Sequence, residues 1–274
     1  MVDLHSHILP EIDDGSKSME ETLKMGRIAA SQGFNKIIAT PHYIEGEYTI
    51  TKDKLLETIK RVNACFQKEN IKLEVLPGAE VYLSPSLPAK LKAGEISTLN
   101  NSPYILIEFP MRDIPVYTED ILYEVRLLGY KPVIAHPERY SKVMEDPNYL
   151  KSLIEQGNYV QINSMSITGG LGERVKKTAQ ILLKHKMVHF IGTDAHSPRA
   201  RSPKIQGAIE QMKKWTDENY LEKILKNGYN LISGEEIIVL EPLIYQNRNA
   251  FLAKFRSIFN IKKRKNIWTS SNRA

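Results

Sequence analysis

Val2-Asp3-Leu4-His5-Ser6-His7 opens the chain with two imidazoles two residues apart in an apolar stretch of strand character. Side chains at i and i+2 of a strand project to the same face, so both rings can reach one cation. Two such histidines also occur as a satisfied polar patch, and the pair alone does not separate the two readings. The rest of the chain does, because it repeats the arrangement.

Downstream, short apolar runs alternate with longer segments of helical period. The runs are Val2 to His5, Lys36 to Thr40, Leu73 to Leu76, Tyr104 to Glu108, Pro132 to Ala135, Tyr159 to Ile162 and Val188 to Gly192. Helical stretches are expected at Ser18 to Gln32, Lys54 to Glu69, Thr118 to Leu128, Tyr149 to Gln156 and Glu173 to Lys186. Ser18 and Thr118 read as capping residues, and Gly33 and Gly129 as stops. This alternation is the pattern of βα units around a parallel sheet, an α/β fold. The 274 residues fit one β/α barrel of about 250 residues plus a short extension.

Residues able to hold a metal fall at or just beyond the carboxyl ends of six of the seven runs. They are His5 and His7, then His42, Glu80, Glu108, His136, and Asp194 with His196. In a closed β/α barrel these ends converge on one face, where barrel enzymes keep their chemistry. The remaining run offers Gln161 and Asn163, which could hydrogen-bond the ligands from behind. Imidazoles and carboxylates without a thiolate suit manganese, iron or zinc.

Several segments carry a family resemblance: Asp3 to Pro10, Asp13-Asp14-Gly15, Ala39-Thr40-Pro41-His42, Pro77-Gly78-Ala79-Glu80, Ile107-Glu108, Ala135-His136-Pro137-Glu138-Arg139 and Gly192-Thr193-Asp194-Ala195-His196. They resemble the polymerase-and-histidinol-phosphatase superfamily over about residues 1 to 240. The Asp13-Asp14-Gly15 turn, the His-Pro-Glu-Arg element and Gln161-Ile162-Asn163 are most similar to its metal-dependent protein tyrosine phosphatases of bacterial capsule and exopolysaccharide systems. The resemblance implies a distorted seven-stranded barrel over residues 1–241, followed by a basic extension over 242–274. It also implies three divalent ions, manganese before iron or zinc. His5, His7, Glu80 and Asp194 would hold the first; Glu80, Glu108 and His136 the second; Asp14, His42 and His196 the third. Either carboxylate of the Asp13-Asp14 pair could turn inward, with Asp14 preferred.

Three divalent ions, four carboxylates and one bridging hydroxide leave a slightly cationic cluster. Such a cluster attracts a phosphate dianion and activates water for in-line attack. Arg139 and Arg201 are implied phosphate-binding residues, since a guanidinium forks onto phosphate oxygens, and Arg199 competes with Arg201. The loops Leu83 to Pro88 and Arg112 to Tyr117 are candidate rims for a protein substrate. Tyr43, Tyr82 and Tyr117 are candidate stacking partners for its ring. His185 and His189 have ligand-like spacing but are read as structural or solvated, because the Lys186-Met187 turn separates them.

Other chemistry is excluded. The single cysteine, Cys65, has Ile71 six residues on where a cysteine-dependent phosphatase needs arginine, and it shares a helical pattern with Leu55, Ile59, Val62 and Phe66. It is therefore expected to be buried. No phosphate-binding glycine loop of the GxxxxGK[ST] type occurs, and no stretch of about 20 apolar residues could span a membrane. With no signal peptide or disulfide, a cytoplasmic location is expected.

Eight basic residues and no acid follow Glu241, so residues 1–241 carry a formal charge of −2 against +6 for the whole chain. The extension sets Phe251, Leu252, Phe255, Ile258 and Phe259 at helical spacing before Lys262-Lys263-Arg264-Lys265. The Phe face is read as packing on the barrel, and the basic cluster as a recruitment element for the inner face of a membrane or an acidic partner.

The function expected is hydrolysis of phosphotyrosine on the tail of a membrane-associated bacterial tyrosine kinase, regulating extracellular polysaccharide synthesis, with no role for nucleic acid. Alternatives are a small-molecule phosphatase such as one acting on histidinol phosphate, an amidohydrolase-type barrel, and a non-catalytic kinase-binding module. The amidohydrolase reading lacks the usual carbamylated lysine, since Glu108 stands at the matching strand end. The native metal, the kinase and the oligomeric state stay open.

Overall fold

The computed structural model describes residues 1–246. A compact unit covers Met1–Leu243. Phe251 to Arg273, on which the expectations for the extension fall, lie outside the described residues.

The described strands are all parallel and form two sheets. The first has the order β1 (Val2–Ser6), β2 (Lys36–Ala39) and β4 (Glu74–Pro77). The second runs β3 (His42–Tyr43), β5 (Glu80–Tyr82), β6 (Tyr104–Glu108), β7 (Lys131–Ala135), β8 (Tyr159–Asn163) and β9 (Phe190–Gly192). All five residues of β1 and of β6 are buried, as expected of parallel strands covered on both faces.

Nine strands stand where seven runs were expected, in two sheets rather than one ring. The second run ends at Ala39, and beyond Thr40-Pro41, where proline removes a ladder donor, the chain resumes as β3. The third starts later than read, at Glu74, ends at Pro77 and resumes beyond Gly78-Ala79 as β5. The register pairs Ala39 with Pro77 and His42 with Glu80, so the two interruptions lie side by side and the sheets part there. Beyond β9, Asp194 N donates to His5 O at 2.7 Å and His7 N to Ala195 O at 2.8 Å, joining the end of β1 to the segment that carries the last site residues.

The helices cover both sheets. Ser18 caps α1 (Met19–Ser31), its side chain accepting from Glu21 N, and Thr51 caps α2 (Lys52–Lys68) through Lys54 N. Shorter helices α3 (Leu87–Lys92), α5 (Ser141–Glu145) and α7 (Ser164–Thr168) bridge the elements, with α4 (Thr118–Leu127), α6 (Pro147–Glu155) and α8 (Glu173–Lys184) between strands. α9 (Gln206–Trp215) and α10 (Glu218–Ser233) complete the unit.

Two local readings need correction. Thr118 does not cap α4 but lies within its first turn, its hydroxyl spent on Pro115 O at 2.7 Å. Cys65 is half-buried, because α2 turns Leu55, Thr58, Ile59, Val62 and Phe66 inward instead. Among the described residues no helix is long and apolar enough to cross a membrane.

Candidate metal centre

The nine candidate ligands converge, with Glu80 at the hub. Its Oε2 lies 3.1 Å from His5 Nε2, 3.2 Å from His7 Nε2 and 3.2 Å from His42 Nδ1, while Oε1 lies 2.9 Å from His136 Nε2. Three overlapping groups could hold cations: His5, His7, Glu80 and Asp194; His42, Glu80 and Glu108; and His7, Asp14, His42 and His196. His136 Nε2 also lies 3.6 Å from Glu108 Oε1. Compared with the expected partition, His42 is drawn toward Glu80 and Glu108, and His7 toward Asp14.

The backbone brings these groups together by sharp turns. His136 and Asp194 take positive φ, +32° and +53°, directly after β7 and close after β9. Gly15 packs so close to the first strand end that a Cβ there would sit 2.3 Å from His7 O, and one on Gly192 would lie 2.7 Å from His5 Cβ. Asp13 and Asp14 turn to different sides. Asp13 accepts from His7 Nδ1 at 2.7 Å, His42 N at 3.0 Å and Gly15 N at 2.9 Å, so it grips the outer side of the His7 ring. Asp14 Oδ1 faces inward, 3.2 Å from His196 Nε2 and 3.5 Å from His42 Nε2.

A supporting layer fixes ring orientations. His5 Nδ1 meets Gln161 Oε1 at 3.0 Å, Gln161 Nε2 donates to Asn163 Oδ1 at 2.9 Å, and Asn163 Nδ2 donates to Asp194 Oδ2 at 2.7 Å. With Nδ1 of His5 and of His7 each turned to an acceptor, Nε2 of both rings faces Glu80, the usual arrangement behind metal-binding imidazoles.

Two supports went unnoticed in the sequence. Asp3, on the same face of β1 as His5, accepts from Thr193 N at 2.9 Å and from Thr193 Oγ1 at 2.5 Å. Buried Glu138 accepts from Asn163 N at 2.9 Å and Ser166 Oγ at 2.6 Å, pinning the His136–Arg139 turn to β8. Tyr140 adds a third tie: its hydroxyl accepts from Phe109 N at 2.9 Å and donates to Ala135 O at 2.7 Å.

The electrostatics are those of a hub that demands positive charge. Burial disfavours the imidazolium forms of His5 and His7, yet neighbouring carboxylates overrule it and both pKa values rise. Burial likewise opposes ionisation of Glu80, but His5 and the other rings hold its pKa well below the usual range. Burial and the Glu80 charge push Glu108 up to about 8. Burial pushes His136 down to about 4 and lowers His42 and His196, leaving their lone pairs available. Buried His42 Nδ1 and His136 Nδ1 have no hydrogen-bond partner. Lone pairs and carboxylate oxygens crowded around one hub, some without a hydrogen bond, fit divalent cations.

Arg139 and Arg201 both reach Asp194 Oδ2, at 3.1 and 2.6 Å, with side chains 25% and 32% exposed. They therefore remain open to a substrate. Arg199 does not join them and lines a separate cavity beside α9. The cavity over the centre, about 260 Å³, is lined by both arginines, by all the donors except His5 and His7, and by Ile44, Glu47 and Tyr48.

The aromatic candidates chosen from sequence do not line it. Tyr43 follows His42 in β3 and so points to the opposite face, buried, its hydroxyl 3.5 Å from Glu95. Tyr82 and Tyr117 lie outside the lining. Leu83, Leu87 and Pro88 are packed into the core, and Arg112, Asp113 and Ile114 line a different cavity. His185 closes α8, Nδ1 meeting Ile181 O at 2.7 Å, and buried His189 accepts from Val160 N at 3.1 Å. Neither approaches the centre.

Residues 1–233 match the family described as capsular polysaccharide synthesis, CpsB/CapC. The chain is 35% identical to tyrosine-protein phosphatase YwqE of Bacillus subtilis (strain 168) over 251 residues, 92% of this chain and 99% of that protein. It is 33% identical to tyrosine-protein phosphatase CpsB of Streptococcus pneumoniae over 243 residues, 86% of this chain and 100% of that protein. A solved chain from crystallographic work on YwqE and CpsB, described as unique metal-dependent tyrosine phosphatases, superposes with TM-score 0.87 at 35% identity over 90% of this chain and 100% of that one. A histidinol phosphate phosphatase from Lactococcus lactis shares the fold at TM-score 0.51 and 16% identity, over 78% of this chain and 94% of that one. The chain belongs to the CpsB/CapC family of capsular polysaccharide synthesis.

Proposed function

We propose that this chain is a metal-dependent protein-tyrosine phosphatase that hydrolyses phosphotyrosine and thereby regulates capsular or exopolysaccharide synthesis. The observation that carries the reading is the meeting of nine imidazole and carboxylate donors, Glu80 at their hub, beside two arginines on one Asp194 oxygen. The relatives named as tyrosine-protein phosphatases support it. In this reading the metal ligands are His5, His7, Asp14, His42, Glu80, Glu108, His136, Asp194 and His196. The ions are three and divalent, manganese before iron or zinc.

Such ions, when bound, supply Lewis-acid activation of water and neutralise phosphoryl charge. The chain's own residues do the rest. Arg139 and Arg201 fork onto the phosphoryl oxygens from the cavity wall, preorganised by Asp194, which is itself held by Asn163. His136, kept neutral by burial, offers a lone pair at neutral pH. The Asp14 side chain, 49% exposed, marks the side on which solvent reaches the donors.

The same reading takes residues 1–241 as a distorted seven-segment barrel and 242–274 as a basic extension. It takes the substrate as the tail of a membrane-associated bacterial tyrosine kinase, reached by recruitment to the inner face of the membrane. The test is phosphate release by metal-stripped protein given back manganese, on a phosphotyrosine peptide, a phosphoserine peptide and histidinol phosphate. His136→Ala serves as control. Manganese-dependent, His136-dependent preference for phosphotyrosine is expected. Preference for histidinol phosphate, or silence on every ester, would overturn the reading.

A further inference from the structure

Phosphotyrosine and phosphoserine carry the same phosphoryl group, so a floor that the proposed ions would make cationic, with two arginines, attracts both alike. Selection must come from whatever meets the carbon skeleton behind the phosphate. Among the described residues lining the cavity, Tyr48 is the sole Phe, Tyr or Trp. It stands on the turn that follows β3, together with Ile44 and Glu47 from the same lining.

That turn is held firmly. Ile44 N donates to Tyr48 O at 2.8 Å and Tyr48 N to Ile44 O at 2.9 Å, closing a tight loop in which Gly46 takes φ of +82°. Glu45 anchors the loop to α3 and the chain before it, accepting from Ser86 Oγ at 2.7 Å and lying 3.7 Å from Lys90 Nζ. The Tyr48 ring stacks on His42, centroids 6.0 Å apart and planes 27° apart, and its side chain stays only half-buried. A rigid aromatic face is thus presented beside the donor cluster, adjoining the apolar side chain of Ile44.

We propose that Tyr48 is the specificity-determining residue that reads the aryl ring of the substrate. With the phosphoryl group seated at Arg139 and Arg201, the substrate ring packs on Tyr48 and Ile44, a contact that a serine or threonine ester has no ring to make. The inference rests on the phosphotyrosine reading above. Its rival is a purely structural role, in which Tyr48 props His42 and affects every substrate equally.

The test uses the full chain reconstituted with manganese, wild type beside Tyr48→Ala and Tyr48→Phe. Substrates are one peptide in phosphotyrosine and phosphoserine versions, and calorimetry follows binding of the non-hydrolysable aryl phosphonate version. Tyr48→Ala is expected to raise KM for phosphotyrosine and Kd for the phosphonate about five- to tenfold, and to lower the phosphotyrosine-to-phosphoserine ratio of kcat/KM by the same factor. Tyr48→Phe, which keeps the ring, should restore the ratio. Equal losses on both peptides, or an unchanged ratio in Tyr48→Ala, would overturn the inference while a phosphotyrosine-preferring wild type leaves the broader reading standing. A wild type without that preference would overturn both.

Discussion

Arg201 Nη2 lies 2.6 Å from Oδ2 of Asp194, whose Oδ1 faces His5 Nε2 and His7 Nε2 at 3.5 Å each. One carboxylate therefore serves two neighbours of different kinds, metal-type donors on one oxygen and a substrate-type cation on the other. Substituting Asp194→Asn removes the charge both depend on. The expected result is a loss of phosphotyrosine hydrolysis of about 10²–10³, together with a fall in bound metal measured by plasma mass spectrometry. Full activity in this variant would show that the shared carboxylate is not used.

Gln161 acts one step further back, through His5 Nδ1 at 3.0 Å. Gln161→Leu should weaken metal affinity about 10- to 100-fold by freeing the ring to rotate and change tautomer. Titration against a competing chelator reads this directly, and an affinity equal to wild type would refute the link.

The pKa of Glu108, raised to about 8 by burial and the Glu80 charge, makes metal uptake compete with a proton. Below pH 8 the carboxyl of the metal-stripped chain holds its proton, and binding must expel it. Affinity should therefore rise with pH up to about 8, by about tenfold per unit for the Glu108 proton and more steeply where His5 and His7, whose pKa values are also raised, must shed theirs. Calorimetry in buffers of different ionisation enthalpy measures the release, and a flat affinity between pH 6 and 8 would contradict it.

His189 provides a stability prediction away from the centre. Burial pushes its pKa down to about 4 from the ordinary imidazole value of 6.5. Between those values the unfolded chain binds a proton that the folded chain refuses, so stability falls as pH drops through this window. The loss approaches about 3 kcal/mol near pH 4. Urea unfolding of wild type against His189→Gln, from pH 7 to pH 4, should show the wild-type advantage shrinking by that amount. A difference constant with pH would mean that the ring is not held neutral.

Much of this was legible in the chain because the chemistry is local. Short apolar runs and helical segments announce the alternation, and ligand residues at strand ends are visible as H-x-H, P-H, A-E and D-A-H. The resumption of the ladder was not, because the readable runs end before Pro41 and Gly78, and β3 and β5 beyond them are only two and three residues long. Naming Tyr43 as a stacking candidate ignored strand parity, since the neighbour of an inward His42 must face outward. Asp3 could have been read by the same parity, two residues before His5. Glu138 could not, because its partners Asn163 and Ser166 are brought to it only by the fold.

The hydroxyl of Tyr140, set between Phe109 N and Ala135 O, splices two strands just where their own ladder stops. Glu108 and His136 are the residues next to those two backbone groups. Their separation is thus governed by a side chain of the turn that also carries Arg139, and breathing at this spot would loosen donors and substrate clamp in concert. The Phe109 amide, whose exchange this bond is expected to slow, becomes a reporter of that shared motion, visible without any substrate present.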